Sequence, residues 1–160
     1  MSDARFATVE QWVCEHQDRE TIRALAAAYQ RGCDGGWDGP SHADPDHLAS
    51  LFCHDATYKI PQRSQPARGR DEIRDVFADL QASLPHVIHY LTNDSITLNG
   101  DRAHGEFKGI AAIWSEGRRH LAFGFYTGQF LRVEGQWRFQ SWQFELVHPP
   151  RRPRVAEESS

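Results

Sequence analysis

Two side chains stand where ordinary folding rules do not ask for them. Asp34 follows an apolar helical stripe directly, one position after Cys33 and immediately before Gly35-Gly36. A carboxylate there meets the negative end of the helix dipole, which disfavours it by about 0.3–1 kcal/mol. An aspartate opening a solvated turn would also occupy such a place. His89 lies in the run 86–98, whose alternation puts Val87, His89, Leu91 and Asn93 on one face and Ile88, Tyr90, Thr92 and Ile96 on the other. An imidazole titrates close to neutrality, which suits a general base at physiological pH. A histidine among apolar neighbours also suits a hydrogen-bonded core position. His86, at the start of the same run, is expected to be exposed.

Other chemistries find little support. The nine histidines include no HxxxH, HxH or HExxH spacing, so no metal is expected. The group His42-Ala-Asp-Pro-Asp-His47 reads as a capped helix start with solvated side chains, with surface binding of a divalent ion as the alternative. No GxSxG, Walker A or dinucleotide fingerprint occurs. The glycines at 35–39 lack the preceding strand that a phosphate cradle needs.

The elements that must position Asp34 and His89 emerge from periodicity. Ile22, Leu25, Ala26, Tyr29 and Cys33 form one stripe of a helix over 18–33, with Asp18 as its N-cap and a shorter lead-in helix at 7–16. Gly35, Gly36, Gly39 and Pro40 stop it and open a polar loop through His42. Asp44-Pro45 opens a short helix carrying Leu48, Leu51 and Phe52. A strand is expected at 56–60, a mobile loop over 61–70 and a helix at 70–82 carrying Ile73, Val76, Phe77 and Leu80. The period then changes to two in four runs, 86–98, 103–114, 118–132 and 136–147. Asn99-Gly100-Asp101, Glu116-Gly117 and Glu134-Gly135 separate them as hairpin turns. Helices on one side of a curved antiparallel sheet give an α+β architecture.

These residues, taken together, resemble a known family. Asp34 ends the first long helix, and Leu48, Leu51, Phe52, Asp55 and Ala56 fit L-x-x-L/I-F-x-x-D-A. His89 precedes Asn93 as H-x-x-x-N, and Tyr126, Phe130, Arg132, Gly135, Trp137, Arg138 and Phe139 form a closing strand–turn–strand signature. Over roughly 15–147 the chain resembles the nuclear transport factor 2 superfamily. Within that superfamily it is similar to the SnoaL-like branch that includes scytalone dehydratase, hexachlorocyclohexane dehydrochlorinase and bile-acid 7α-dehydratase. The resemblance implies a cone-shaped curved antiparallel sheet, an α+β barrel, packed against three to four helices. It also implies an Asp34–His89 dyad in which His89 removes a proton while Asp34 fixes its tautomer and stabilises the imidazolium.

Departures from the relatives shape the remaining expectations. The segment 105–114 lacks the second histidine of scytalone dehydratase, and Phe125 stands where many relatives carry arginine, implying a more apolar cavity. Tyr29, five residues before Asp34, is placed to donate a hydrogen bond to an oxygen or a leaving group. Trp37, Tyr58, Trp114, Phe125, Tyr126 and Trp142 are the candidate substrate-binding residues, each with core packing as its alternative. The implied activity is a cofactor-independent dehydratase (a lyase), cyclase or isomerase acting on a hydrophobic cyclic small molecule. The rivals are a non-catalytic binding or assembly protein of the same fold and the structural small subunit of a ring-hydroxylating oxygenase.

Composition agrees with a protein of that kind. The 160 residues are 39% apolar, sufficient for the core of one domain over 1–150, with a Pro- and charge-rich tail at 151–160 expected to be disordered. Eighteen Lys and Arg against 22 Asp and Glu give no basic surplus for nucleic acid or an anionic membrane. Three cysteines without CxxC spacing read as free thiols, and with no secretory or spanning segment the expected location is cytoplasmic. Strands rich in Trp, Phe and Ile predict a homo-oligomer, dimer or trimer, through the outer sheet face.

Overall fold

The computed structural model describes residues 3–35, 39–84, 86–115 and 117–147, so the expected tail lies outside the described residues. The elements are α1 (Asp3–Cys33), α2 (Pro45–Ser50), β1 (Phe52–Lys59), β2 (Ala67–Arg68), α3 (Gly69–Ser83), β3 (His86–Asn99), β4 (Arg102–Ser115), β5 (Arg118–Val133) and β6 (Gln136–Leu146). The six strands form one sheet in the order β2-β1-β6-β5-β4-β3, packed with the three helices. The α+β class is therefore observed, and the four long strands fall within a residue or so of the positions read from alternation. The sheet is mixed and open where a wholly antiparallel barrel was expected. β1 runs parallel to β6, and β2 and β3 are its two edges.

Residues 3–33 form one helix of 31 residues in place of a lead-in helix and an Asp18-capped helix. Neither Gly nor Pro occurs from residue 3 to residue 31, so nothing interrupts the helical backbone. Asp18 instead fastens the middle of α1 to the β5–β6 hairpin. Its carboxylate accepts hydrogen bonds from Trp137 Nε1 at 3.0 Å and Arg132 at 2.6 Å, and the guanidinium lies 4.7 Å from the centre of the Trp137 ring. Arg23 reaches Asp94 on β3 at 2.9 Å. Ile22, Ala26, Tyr29 and Cys33 face the core, whereas Val9, Trp12 and Val13 are exposed.

Asp44 caps α2 as expected, accepting the His47 N–H at 2.9 Å. Phe52 opens β1 and does not continue the helix, and the 61–70 segment contributes the short strand β2 beside Thr57 and Tyr58. In β3 the register shifts between Thr92 and Ser95, with Asn93 at φ 51. A bulge of this kind reverses the facing of every later residue. Leu91 before it and Ile96 and Leu98 after it consequently all pack on the core, which corrects the placement of Ile96 on the face opposite Leu91.

The inner face of the sheet has bare backbone at its centre. Gly105 stands opposite Gly128, and Gly109 opposite Gly124, across β4 and β5. A Cβ at Gly109 would lie 2.6 Å from the Tyr126 ring, and one at Gly128 would lie 2.5 Å from Trp142. These glycines let Tyr126, Phe130, Trp142 and Phe144 lie flat on the strands. Above them, Tyr29 meets the rings of Tyr58, Phe77, Tyr126, Phe139 and Trp142 with centroids 5.7–6.3 Å apart.

Candidate active site

β3 is an edge strand, and the end of α1 covers the start of that edge. The Val87 N–H donates to Ser41 Oγ at 2.7 Å, and the Val87 carbonyl accepts from Gly35 N–H at 3.0 Å and from the Ser41 hydroxyl at 3.2 Å. Two residues on, the His89 N–H donates to Asp34 Oδ1 at 2.7 Å and the His89 carbonyl accepts from Gln30 Nε2 at 2.5 Å. The backbone groups that this edge would leave open at Val87 and His89 are thus satisfied by Gln30, Asp34, Gly35 and Ser41. Ser41→Ala should cost about 1–3 kcal/mol in urea unfolding, because it strands the buried Val87 N–H. An unchanged midpoint would show that water replaces the hydroxyl.

The same stitching aligns the two sequence candidates. Asp34 Oδ1 lies 2.8 Å from His89 Nδ1, with the aspartate side chain 8% and the histidine side chain 12% exposed. A carboxylate is an acceptor only, so His89 carries its proton on Nδ1 and keeps the Nε2 lone pair free. Two hydrogen bonds from β3 account for an aspartate at a helix C-terminus.

A cavity of about 120 Å³ opens on this face and is lined by His89, His42, Tyr29, Tyr58 and Tyr126, with apolar walls that include Leu80, Val87 and Ala111. The Tyr29 and Tyr58 hydroxyls are 2.9 Å apart. Burial holds the phenols of Tyr29, Tyr58 and Tyr126 above their ordinary range, and it also raises the Cys33 thiol. They are neutral hydroxyls, fit to donate or accept hydrogen bonds and not to act as bases. A larger groove of about 480 Å³, bordered by Lys59, Arg68, His104 and Gln129, shares no lining residue with this cavity. Among the described residues no group of three His, Cys, Asp or Glu is placed to hold a metal.

Several expected binding residues lie elsewhere. Trp114 and Phe125 are 37% and 47% exposed on the outer face, because alternation turns inward their neighbours Ile113 and Tyr126. The replacement of arginine by Phe125 therefore does not make the cavity more apolar. Trp142 is buried beneath Tyr29 and Tyr126 as a core ring and does not line the dyad cavity. Trp37 lies outside the described residues.

His42 was missed by sequence reasoning, which placed it in a solvated turn. It is 3% exposed, stacks on Phe77 with centroids 6.1 Å apart, and has φ 56. Its Nδ1 has no hydrogen-bond partner among the described residues. Short-range spacing carried no signal for this burial, since the contact with Phe77 depends on α3 packing over the loop. Burial, reinforced by His89 and opposed by Asp34, lowers its pKa to about 4. The unfolded chain therefore binds the proton more readily. Stability from a neutral His42 is complete above pH ~6.5 and is lost as pH falls toward 4, by about 3 kcal/mol. His42→Phe should remove that part of the acid sensitivity when denaturant unfolding is compared at pH 7 and pH 4. An unaltered pH dependence would mean that the ring is protonated in the folded protein.

The model of the SnoaL-like domain matches residues 15–143. No curated protein matches the sequence. Among solved structures, a provisionally assigned aromatic ring hydroxylase from Novosphingobium aromaticivorans is 26% identical, with 83% of this chain and 91% of that one covered and a TM-score of 0.71. A provisionally assigned scytalone dehydratase from the same organism is 20% identical, with 84% and 87% covered and a TM-score of 0.71. The type 3 hexachlorocyclohexane dehydrochlorinase of Novosphingobium barchaimii is 19% identical, with 84% and 89% covered and a TM-score of 0.70. At such identities the last two establish the shared fold. No helix among the described residues is long and apolar enough to cross a membrane.

Proposed function

We propose, from the premise that this chain belongs to the SnoaL-like domain family, that it is a cofactor-independent acid–base enzyme that eliminates water from a hydrophobic cyclic small molecule. The observation that carries the reading is the 2.8 Å pair of His89 Nδ1 and Asp34 Oδ1 behind a cavity that His89 itself lines. His89 Nε2 takes a proton from the bound molecule, and Asp34 stabilises the imidazolium that forms. The departing hydroxyl leaves as water with that proton, which restores the neutral ring. Cyclisation and isomerisation share the first step and differ in the fate of the carbanion. The Tyr29–Tyr58 hydroxyl pair supplies a further polar contact in the cavity wall.

Size narrows the substrate. A cavity near 120 Å³ compares with the roughly 150 Å³ apolar cavity known to hold benzene, so one ring fits and a fused polycycle does not without movement. The test is to incubate the protein with monocyclic β-hydroxy ketones and monitor the absorbance of the conjugated enone. Turnover that disappears in His89→Ala supports the reading, and its absence throughout the panel overturns it.

The ring-hydroxylase neighbour at 26% identity favours one second reading, a structural subunit of a ring-hydroxylating oxygenase. That protein would turn over nothing by itself. A homo-oligomer is part of the main proposal. Leu121, Phe123, Phe125 and Tyr90 are 66%, 52%, 47% and 58% exposed on the outer sheet face, an apolar area of the kind that a second copy covers.

A further inference from the structure

We propose that His42 is a second imidazole of this site, held uncharged, which donates its Nε2–H to a ligand oxygen that gathers negative charge while His89 removes a proton. For its reaction the proposal rests on the elimination reading above. For its residue it rests on separate observations.

His42 and His89 line the same cavity, and His42 is 3% exposed with its Nδ1 unpaired among the described residues. Its backbone at φ 56 lies in the left-handed region, which Asn, Asp and His enter more readily than other residues with side chains. A phenylalanine would stack on Phe77 without burying an unpaired nitrogen, and an asparagine would tolerate the backbone. Packing alone does not call for histidine here. A buried N–H without a partner is rarer than a buried lone pair without one, so the proton belongs on Nε2 and the bare lone pair on Nδ1. Burial also disfavours the charged ring.

The two imidazoles are then complementary. His89, with its own proton turned to Asp34, offers a lone pair, and His42 offers an N–H. That combination recognises a carbonyl compound with a hydrogen on the adjacent carbon. As the C–H proton passes to His89 Nε2, its electron pair forms the carbon–carbon double bond of an enolate. The carbonyl π pair moves to oxygen, where the His42 N–H meets it. The pair then returns, the β-hydroxyl leaves with the proton from His89 as water, and an enone remains. His42 keeps its proton throughout, as a neutral donor to a developing oxyanion.

The probe is 4-nitrophenolate, a single ring bearing an oxyanion, compared with nitrobenzene, which lacks it. His42→Phe should weaken 4-nitrophenolate about 30-fold and leave nitrobenzene within about threefold, while His42→Gln should recover most of the loss. Equal phenolate affinity in His42→Phe and the parent, or no phenolate binding by the parent, overturns the proposal. Long-range proton–nitrogen NMR of the unmodified protein provides a test that does not depend on the variants folding. It should find His42 neutral with the proton on Nε2, and that N–H should move downfield when 4-nitrophenolate is added. A proton on Nδ1, or an unmoved resonance, overturns it. The two readings fail separately. A phenolate contrast without any enone formation sinks the elimination and keeps the oxyanion contact, whereas enone formation that needs His89 but no phenolate contrast does the reverse.

Discussion

His89→Ala should lower kcat by about 100- to 10,000-fold on whichever β-hydroxy ketone proves to be turned over, since it removes the group that accepts the proton. Asp34→Asn should cost a similar factor for a different reason. The amide is nearly the same shape, but it carries no charge to stabilise the imidazolium and no longer dictates which ring nitrogen holds the proton. Because the two act as a unit, the double variant should be little slower than the worse single one. The check is kcat and KM for all three proteins, with thermal midpoints confirming that each is folded. Asp34 also accepts the His89 backbone N–H, so Asp34→Asn is expected to lose some stability as well as rate. Variants that keep the parent rate would reduce the pair to an edge-capping contact and leave the fold without this chemistry.

Gly124→Ala should be the most damaging of the small-to-large changes on the inner sheet face. The added Cβ would lie 2.3 Å from the Glu145 carbonyl oxygen and 2.4 Å from the Phe144 ring. A flexible side chain could give way, but the carbonyl is β6 backbone, paired to β5 where Glu145 stands opposite Phe125. We expect a loss of about 3 kcal/mol or more, the upper end for overpacking. Gly39→Ala is the control, since among the described residues no atom lies within 4 Å of its added Cβ, and it should change stability by less than about 0.5 kcal/mol. Urea midpoints of the two variants decide the matter, and equal midpoints would show that β5 and β6 slide apart at little cost.

Much of the architecture was legible because its signals were local. The hairpin glycines at 100, 117 and 135 take positive φ where the turn chemistry asked for it, so the long strands fell into place. Asp34 and His89 stood out for the same reason, each being at odds with its own neighbourhood. What could not be read depended on contacts distant in sequence. Asp18 resembles a helix cap until Trp137 and Arg132, more than a hundred residues later, are seen to claim it. His42 resembles a turn residue until α3 lays Phe77 over it. Trp114 was drawn to the cavity as an aromatic and Phe125 by the arginine of the relatives, although alternation about the inward Ile113 and Tyr126 already placed both outside. The bulge at Asn93 was missed because an inserted residue leaves the alternation before it intact.

The parallel seam between β1 and β6 has a consequence for how the chain is made. The first strand to leave the ribosome has β2 and the last strand as its neighbours in the sheet. Until Leu146 emerges from the exit tunnel, β1 lacks its main partner and the aromatic side chains of Phe52 and Tyr58 have no finished layer to enter. The β3–β5 meander pairs early because its contacts are short-range, whereas closing the seam waits until β6 has been made. During that interval nascent copies expose the same unfilled edge, so crowding on polysomes favours their aggregation.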